Sequence, residues 1–275
     1  MSDHAAHGPL VAFTTLAIGG AGLVAASAYF EVVHGLLSRH LLAAGALLLA
    51  AGLAVSLRHL GQKRRAGLAV RGAGRSALSN EALLAGLALA AAALAAGLDL
   101  RGAHAQAVTA LAGSINAAFL VSVGLVYRVR GQRTWQGFSA ATPLTGGLAF
   151  GAIAVQTTAG SGDVYLGTLL FIALDALLFS QRWRDIVGIA FSERMLADPW
   201  HARRTQLLAA RCFLLNVIPF FLLAASPTPL AIPVAAAGLL VDRFSFYVLA
   251  LQHTTEHEIA GVEAQIDALG RTPED

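Results

Sequence analysis

Two short runs hold the residues of this chain best suited to chemistry. One is Ser56-Leu57-Arg58-His59-Leu60-Gly61, where an apolar stretch gives way to polar residues. The other is Gly74-Arg75-Ser76-Ala77-Leu78-Ser79-Asn80-Glu81, where the next apolar stretch begins. An ionisable group at membrane depth is expensive, so it faces a cavity or a partner. A short basic loop brings His59 and Glu81 to one side, where an imidazole and a carboxyl can exchange protons with a bound quinol. A plainer reading stands beside this one. Ser79 caps the helix and Glu81 occupies its first turn, where the helix dipole favours a carboxylate; His59 hydrogen-bonds in the headgroup zone.

Arg243 stands in an otherwise apolar stretch, with Asp242 before it and Tyr247 one turn later on the same helix face. It either pairs or snorkels near a helix end, or donates a hydrogen bond to a quinone carbonyl. Tyr247 either serves the same oxygen or packs in an aromatic layer. Arg211 and Asp175 are candidate partners between helices, with a proton path as the alternative. The run His253-Thr254-Thr255-Glu256-His257 fits a zinc pattern, but no catalytic domain surrounds it, so no metal site is expected. None of the nine histidines falls clearly at mid-span, which argues against haem held by paired histidines. With Cys212 as the single cysteine, neither a disulfide within the chain nor a cysteine-ligated iron–sulfur cluster can form.

The elements that must position these groups are transmembrane helices. The 275 residues are 56% hydrophobic and 13% charged, with mean hydropathy +0.66; soluble domains carry roughly 25% charged residues. Apolar stretches near the length of about 20 residues needed to span a bilayer fall near 9–30, 40–57, 78–97, 105–127, 139–158, 164–181, 206–225 and 230–251. An all-α integral membrane bundle of eight transmembrane helices follows, occupying 1–251. The tail, 252–275, carries Ile259, Val262, Ile266 and Leu269 at helical spacing and lies in the cytoplasm. Met1 to Gly8 has no Lys or Arg, so the positive segment of a signal peptide is missing.

The chain has 18 Arg and one Lys. The loop after the second stretch holds Arg58, Lys63, Arg64, Arg65, Arg71 and Arg75. The fourth is followed by Arg128, Arg130 and Arg133, and the sixth by Arg182, Arg184, Arg194, Arg203 and Arg204. The loops of the other side hold only Arg39 and Arg101. The positive-inside rule then places both termini and the three basic loops in the cytoplasm. These loops suit docking of acidic partners, and no nucleic-acid patch is read from them.

The segment Leu57-Arg58-His59-Leu60-Gly61, followed by Ser76-Ala77-Leu78-Ser79-Asn80-Glu81, resembles the membrane-anchor subunit of dimethyl sulfoxide reductase. In that family a His-Leu-Gly ends the second span and Ser-x-Leu-Ser-Asn-Glu opens the third. Pro9-Leu10, Thr134-Trp135 with Thr142-Pro143, and Arg243 with Phe246-Tyr247 resemble further family positions in order. There are departures: the spacing from Trp135 to Thr142-Pro143 is longer, and His253 comes later after Tyr247 than the family's histidine.

The resemblance implies an anchor for a molybdopterin catalytic subunit and a ferredoxin-like iron–sulfur subunit, both carrying their own cofactors. This chain would exchange electrons with menaquinone or ubiquinone and hold no haem. His59 and Glu81 would handle the quinol protons. Ser79, Asn80, Arg243 and Tyr247 would line the quinone pocket, and the loop from Arg58 to Arg75 would seat the iron–sulfur subunit. The expected location is a bacterial inner membrane, multi-pass among its lipids, with the partners on the cytoplasmic side. Sulfite oxidation, acyl-CoA oxidation and sulfoxide reduction in anaerobic respiration all fit such an anchor. A reading of a different class is a small-solute transporter or channel, suited by the glycine-rich spans, Asp175 and Arg243.

Overall fold

The computed structural model describes residues 8–36, 38–59, 74–127, 133–135, 137–189, 199–226 and 228–250. The side chains of Arg58, His59 and Arg133, the loop residues Lys63, Arg64, Arg65 and Arg71, and the tail from 251 lie outside the described residues.

Long helices occupy every apolar stretch: α1 (Gly8–His34), α2 (Arg39–His59), α3 (Ala77–Leu100), α4 (Gln106–Val126), α5 (Thr142–Ala159), α6 (Gly162–Val187), α7 (Arg204–Ala225) and α8 (Ala231–Val248). No strand occurs among the described residues. Seven of these helices, all but α5, are long and apolar enough to cross a membrane, as expected of a multi-pass membrane protein. α5 carries Thr142, Thr145, Gln156, Thr157 and Thr158 and is less apolar. It is also the helix most enclosed by the others, with a nearly unbroken run of buried residues from Thr145 to Gln156. A helix shielded from lipid by its neighbours needs no apolar surface all round.

The centre of the bundle is α1 against α5. α1 is buried without interruption from Ala17 to Ala28. Small residues permit the approach, since in lipid close packing of backbones replaces a hydrophobic driving force. A Cβ on Gly22 would strike the Gly147 backbone, and one on Gly151 would strike Gly22. Gly20 is equally close to α2, where a Cβ would meet Gly45 O and Leu49 N at 2.6 Å. Gly22→Val is therefore expected to destabilise the bundle by about 1–3 kcal/mol. At Gly86, where a Cβ meets nothing within 4 Å, Gly86→Ala should be neutral or stabilising by up to about 1 kcal/mol. Unfolding in a mixed-detergent titration would compare the two.

Two features differ from the sequence expectation. α3 starts at Ala77 with Ser76 at the N-cap, and its first turn contains no acidic residue. Ser79 is thus not the cap, and Glu81 lies beyond the reach of the exposed amides. Arg182, expected in a basic loop, is part of α6 and is 1% exposed. Its loss from the basic side leaves the charge asymmetry intact.

α7 is broken by a π turn, Phe213–Val217. Pro219 lacks an N–H and its ring would crowd the carbonyl four residues back, at Leu215, so a wider turn relieves the helix there. Gly238 of α8 packs against the widened turn, where a Cβ would meet Leu215 N at 2.6 Å.

Candidate functional site

Helices running up and down bring one set of ends together: the starts of α1, α3, α5 and α7 and the ends of α2, α4, α6 and α8. Glu81 lies near the start of α3 and is 6% exposed. Its Oε1 is buried with no hydrogen-bond partner. Desolvating a carboxylate without a donor is costly, and that cost persists only where something offsets it.

Close by, the Tyr127 and Tyr247 hydroxyls, from the ends of α4 and α8, are 2.8 Å apart. Glu81 and Arg243 both act electrostatically on this pair. Aromatic rings hold the hydroxyls in place. Trp135 stacks on Phe246 with ring centres 5.2 Å apart, and its Nε1–H donates to the Phe246 carbonyl at 2.9 Å. Tyr127 meets both rings edge-on, at 5.3 and 5.1 Å. The short turn Arg133–Trp135 is thereby clamped to the last helix.

Arg243 is fully buried. Its Nε donates to Asp242 Oδ2 at 2.9 Å, and Nη2 donates to the same oxygen and to Thr142 Oγ1 at 3.0 Å. The pairing with Asp242 is the simpler of the two expectations for this residue. Nη1 nonetheless remains buried and without a hydrogen-bond partner.

Arg243 is also one end of a buried network. Asp242 Oδ1 accepts from Arg182 Nη1 at 2.7 Å and from Arg211 Nε at 3.2 Å. Arg211 grips Asp175 with both terminal nitrogens, at 2.7 and 2.8 Å. Asn216, in the π turn, accepts from Arg211 at 2.9 Å and donates to Asp175 Oδ2 at 2.8 Å. Thr145 donates to Asp175 Oδ1 at 2.8 Å.

Three arginines against two aspartates leave one positive charge in excess inside the bundle. Aromatic faces meet part of it. Phe179 lies 4.0 Å below the Arg211 guanidinium, and Phe246 lies 4.9 Å from Arg243 and 5.6 Å from Arg182. A quadrupole face stabilises a desolvated cation. The network therefore fixes Asp242 and Arg243, and through Phe246 the aromatic cluster, from behind.

Of the residues expected at the site, Glu81 and Arg243 both lie within electrostatic range of Tyr247. Ser79 is partly exposed two residues before Glu81. Asn80 is engaged locally, its Oδ1 accepting the Gly74 N–H at 2.6 Å, which holds the turn before α3. His59 ends α2 at this end of the bundle, but its side chain lies outside the described residues. Among the basic loop residues Arg75 is exposed, and the others fall outside the described residues. The pairing of Arg211 with Asp175 matches the expectation of partners between helices. Sequence reasoning missed Tyr127 and the role of Trp135; their only signal was two aromatic residues flanking a basic loop. Among the described residues no group of three His, Cys, Asp or Glu side chains is placed to hold a metal ion.

No family model matches the chain, and comparison with curated proteins finds no match.

Proposed function

We propose that this chain is a membrane anchor and quinone-reactive subunit, resembling that of dimethyl sulfoxide reductase, and that its ligand occupies the corner formed by Glu81, Tyr127, Tyr247 and Arg243. The observation that carries the reading is the Glu81 carboxyl, buried at the mouth of the bundle without a protein donor. A quinol hydroxyl is a donor of the right kind, and its proton leaves as it is oxidised. The tyrosine pair and Arg243 Nη1 supply donors for the second oxygen. This chain's residues would bind and orient the ring, exclude water and hold the proton on Glu81 or His59; the electrons would pass to clusters in the partner.

On this reading α5 is an eighth span, both termini are cytoplasmic, and the loop from Arg58 to Arg75 seats a ferredoxin-like iron–sulfur subunit that joins a molybdopterin subunit. The membrane is a bacterial inner membrane. The quinone would be menaquinone or ubiquinone.

A transporter is the second reading, favoured by the π turn at Phe213–Val217 beside Asp175 and Arg211, because broken helices and buried charges mark solute sites in transporters. Affinity purification from the native membrane separates the two. The anchor should bring down stoichiometric molybdenum and iron. A lone chain that carries solute flux in liposomes would favour transport.

A further inference from the structure

The opposite end of the bundle holds a second polar group that the quinone reading does not use. There α1 and α3 end, α4 begins, and a short loop carries His104. The His104 Nε2 lies 2.6 Å from Glu31 Oε1, and Nδ1 lies 2.7 Å from Asp99 Oδ1. Glu31 is 3% and Asp99 1% exposed, whereas the imidazole is 33% exposed. One ring therefore joins two buried carboxyls from two different helices to the water outside.

The two contacts favour an added proton. A neutral imidazole has one N–H and one bare lone pair. If both carboxyls were ionised, that lone pair would face a carboxylate at 2.6 or 2.7 Å, and lone pair would oppose lone pair. Nδ1 and Asp99 Oδ1 share a hydrogen bond, whereas Nε2 approaches Glu31 Oε1 as an ion pair, and both Glu31 oxygens are buried without a hydrogen-bond partner. An ion pair there needs the imidazolium, so the group is built to hold one proton more than the neutral ring with two carboxylates. Charge gives the same result, because two buried carboxylates beside a neutral ring would place two negative charges in a poorly solvated site.

Further oxygens at this end lack a protein donor. Asp99 Oδ2 has no hydrogen-bond partner, nor has Ser27 Oγ, one turn before Glu31. Gly22 abuts Gly147, and Gly151 abuts both Gly22 and Ala26, a register that carries Gln156 of α5 to the level of Ser27 to Glu31. Its Oε1 is buried and unpartnered too. Thr109 of α4 adjoins Glu31. The remaining charged groups near this end, His34, Arg39, His40, Arg101 and Asp163, are exposed, where water screens them; of the phenols there, Tyr29 is exposed and Tyr165 half-buried.

We infer that Glu31, Asp99 and His104 form a proton-loading site, taking one proton from the aqueous phase through His104 and sharing it between two buried carboxyls, at the end of the bundle away from Glu81. The transfer is a simple exchange: a hydronium ion gives its proton to the triad and leaves as water. When the proton departs, one of the two contacts opens, so loading also governs how firmly α1 and α3 are joined.

The test uses the full chain in lipid bilayers. Infrared difference spectra across a pH titration report protonated carboxyls, and 15N spectra of histidine-labelled protein report ring protonation. His104 is assigned by its absence in His104→Asn. The expected result is a single proton released in one step, seen as loss of imidazolium at His104 or of a carboxyl band, and abolished in Glu31→Gln and in Asp99→Asn. Glu81→Gln should leave this step unchanged. Should a triad variant fail to fold, the wild-type spectra decide alone. Absence of both imidazolium and protonated carboxyl at every pH where the wild type is folded would overturn the inference, as would a release step unaltered in folded Glu31→Gln.

Discussion

Glu81→Gln is expected to leave the bundle folded and any partner complex assembled, while quinone-coupled turnover falls by about 10²–10⁴-fold, the usual contribution of a general acid or base. The two halves of this prediction have one source. Oε1 of Glu81 has no protein donor, so an isosteric amide breaks no internal hydrogen bond. It also removes the cost of burying a carboxyl that can ionise, and the variant should unfold no earlier than the wild type. The amide cannot accept a proton at neutral pH, so a quinol bound beside it has lost its acceptor. Turnover with an artificial donor that bypasses quinone should be unchanged. Loss of assembly alongside loss of turnover would instead make Glu81 a structural residue.

Asp242→Asn is expected to do the reverse, damaging the fold first. Its carboxylate accepts from Arg182 and Arg211 on one oxygen and from Arg243 on the other. Removing the charge leaves three buried guanidiniums against Asp175 alone. Breaking a buried ion pair from one side costs about 3–5 kcal/mol, because the remaining charge stays desolvated. Thr145→Ala, which removes one hydrogen bond to Asp175, should cost only about 1 kcal/mol. Reversible unfolding in mixed detergent measures both. An Asp242→Asn chain as stable as the wild type would mean that water reaches the arginines and that the network is not dry.

How much of this was legible in the sequence depends on the distance over which each feature is written. The helices were, because each is specified by its own run of apolar residues. α5 shows the limit of that signal: its polarity reflects enclosure by neighbours, which no local window contains. The partnership of Arg211 with Asp175 was anticipated, since charges inside apolar stretches must find one another. Arg182 was placed in a loop because it stands at a hydrophobic boundary, where only the position of Asp242 on a distant helix shows that it turns inward. Ser79 looked like a cap for a similar reason, although the helix starts at Ala77 with Ser76 before it. Glu31, Asp99 and His104 each sit at a span end, where an ionisable residue is unremarkable by itself. Their significance lies wholly in the two contacts on one ring.

Trp135 offers the most direct test of the central claim, that the Glu81 corner receives a quinone. Its indole stacks on Phe246 and adjoins the tyrosine pair, so a quinone bound there should quench its fluorescence. Titration of a short-chain quinone into the protein in lipid nanodiscs is expected to give saturable quenching, lost in Trp135→Phe. The matching quinol, whose hydroxyl donates to Glu81, should displace it, and at least about tenfold more quinol should be required in Glu81→Gln, the loss of one hydrogen bond to a charged group. Quenching that never saturates, or displacement by quinol that is identical in the Glu81→Gln chain, would contradict the assignment.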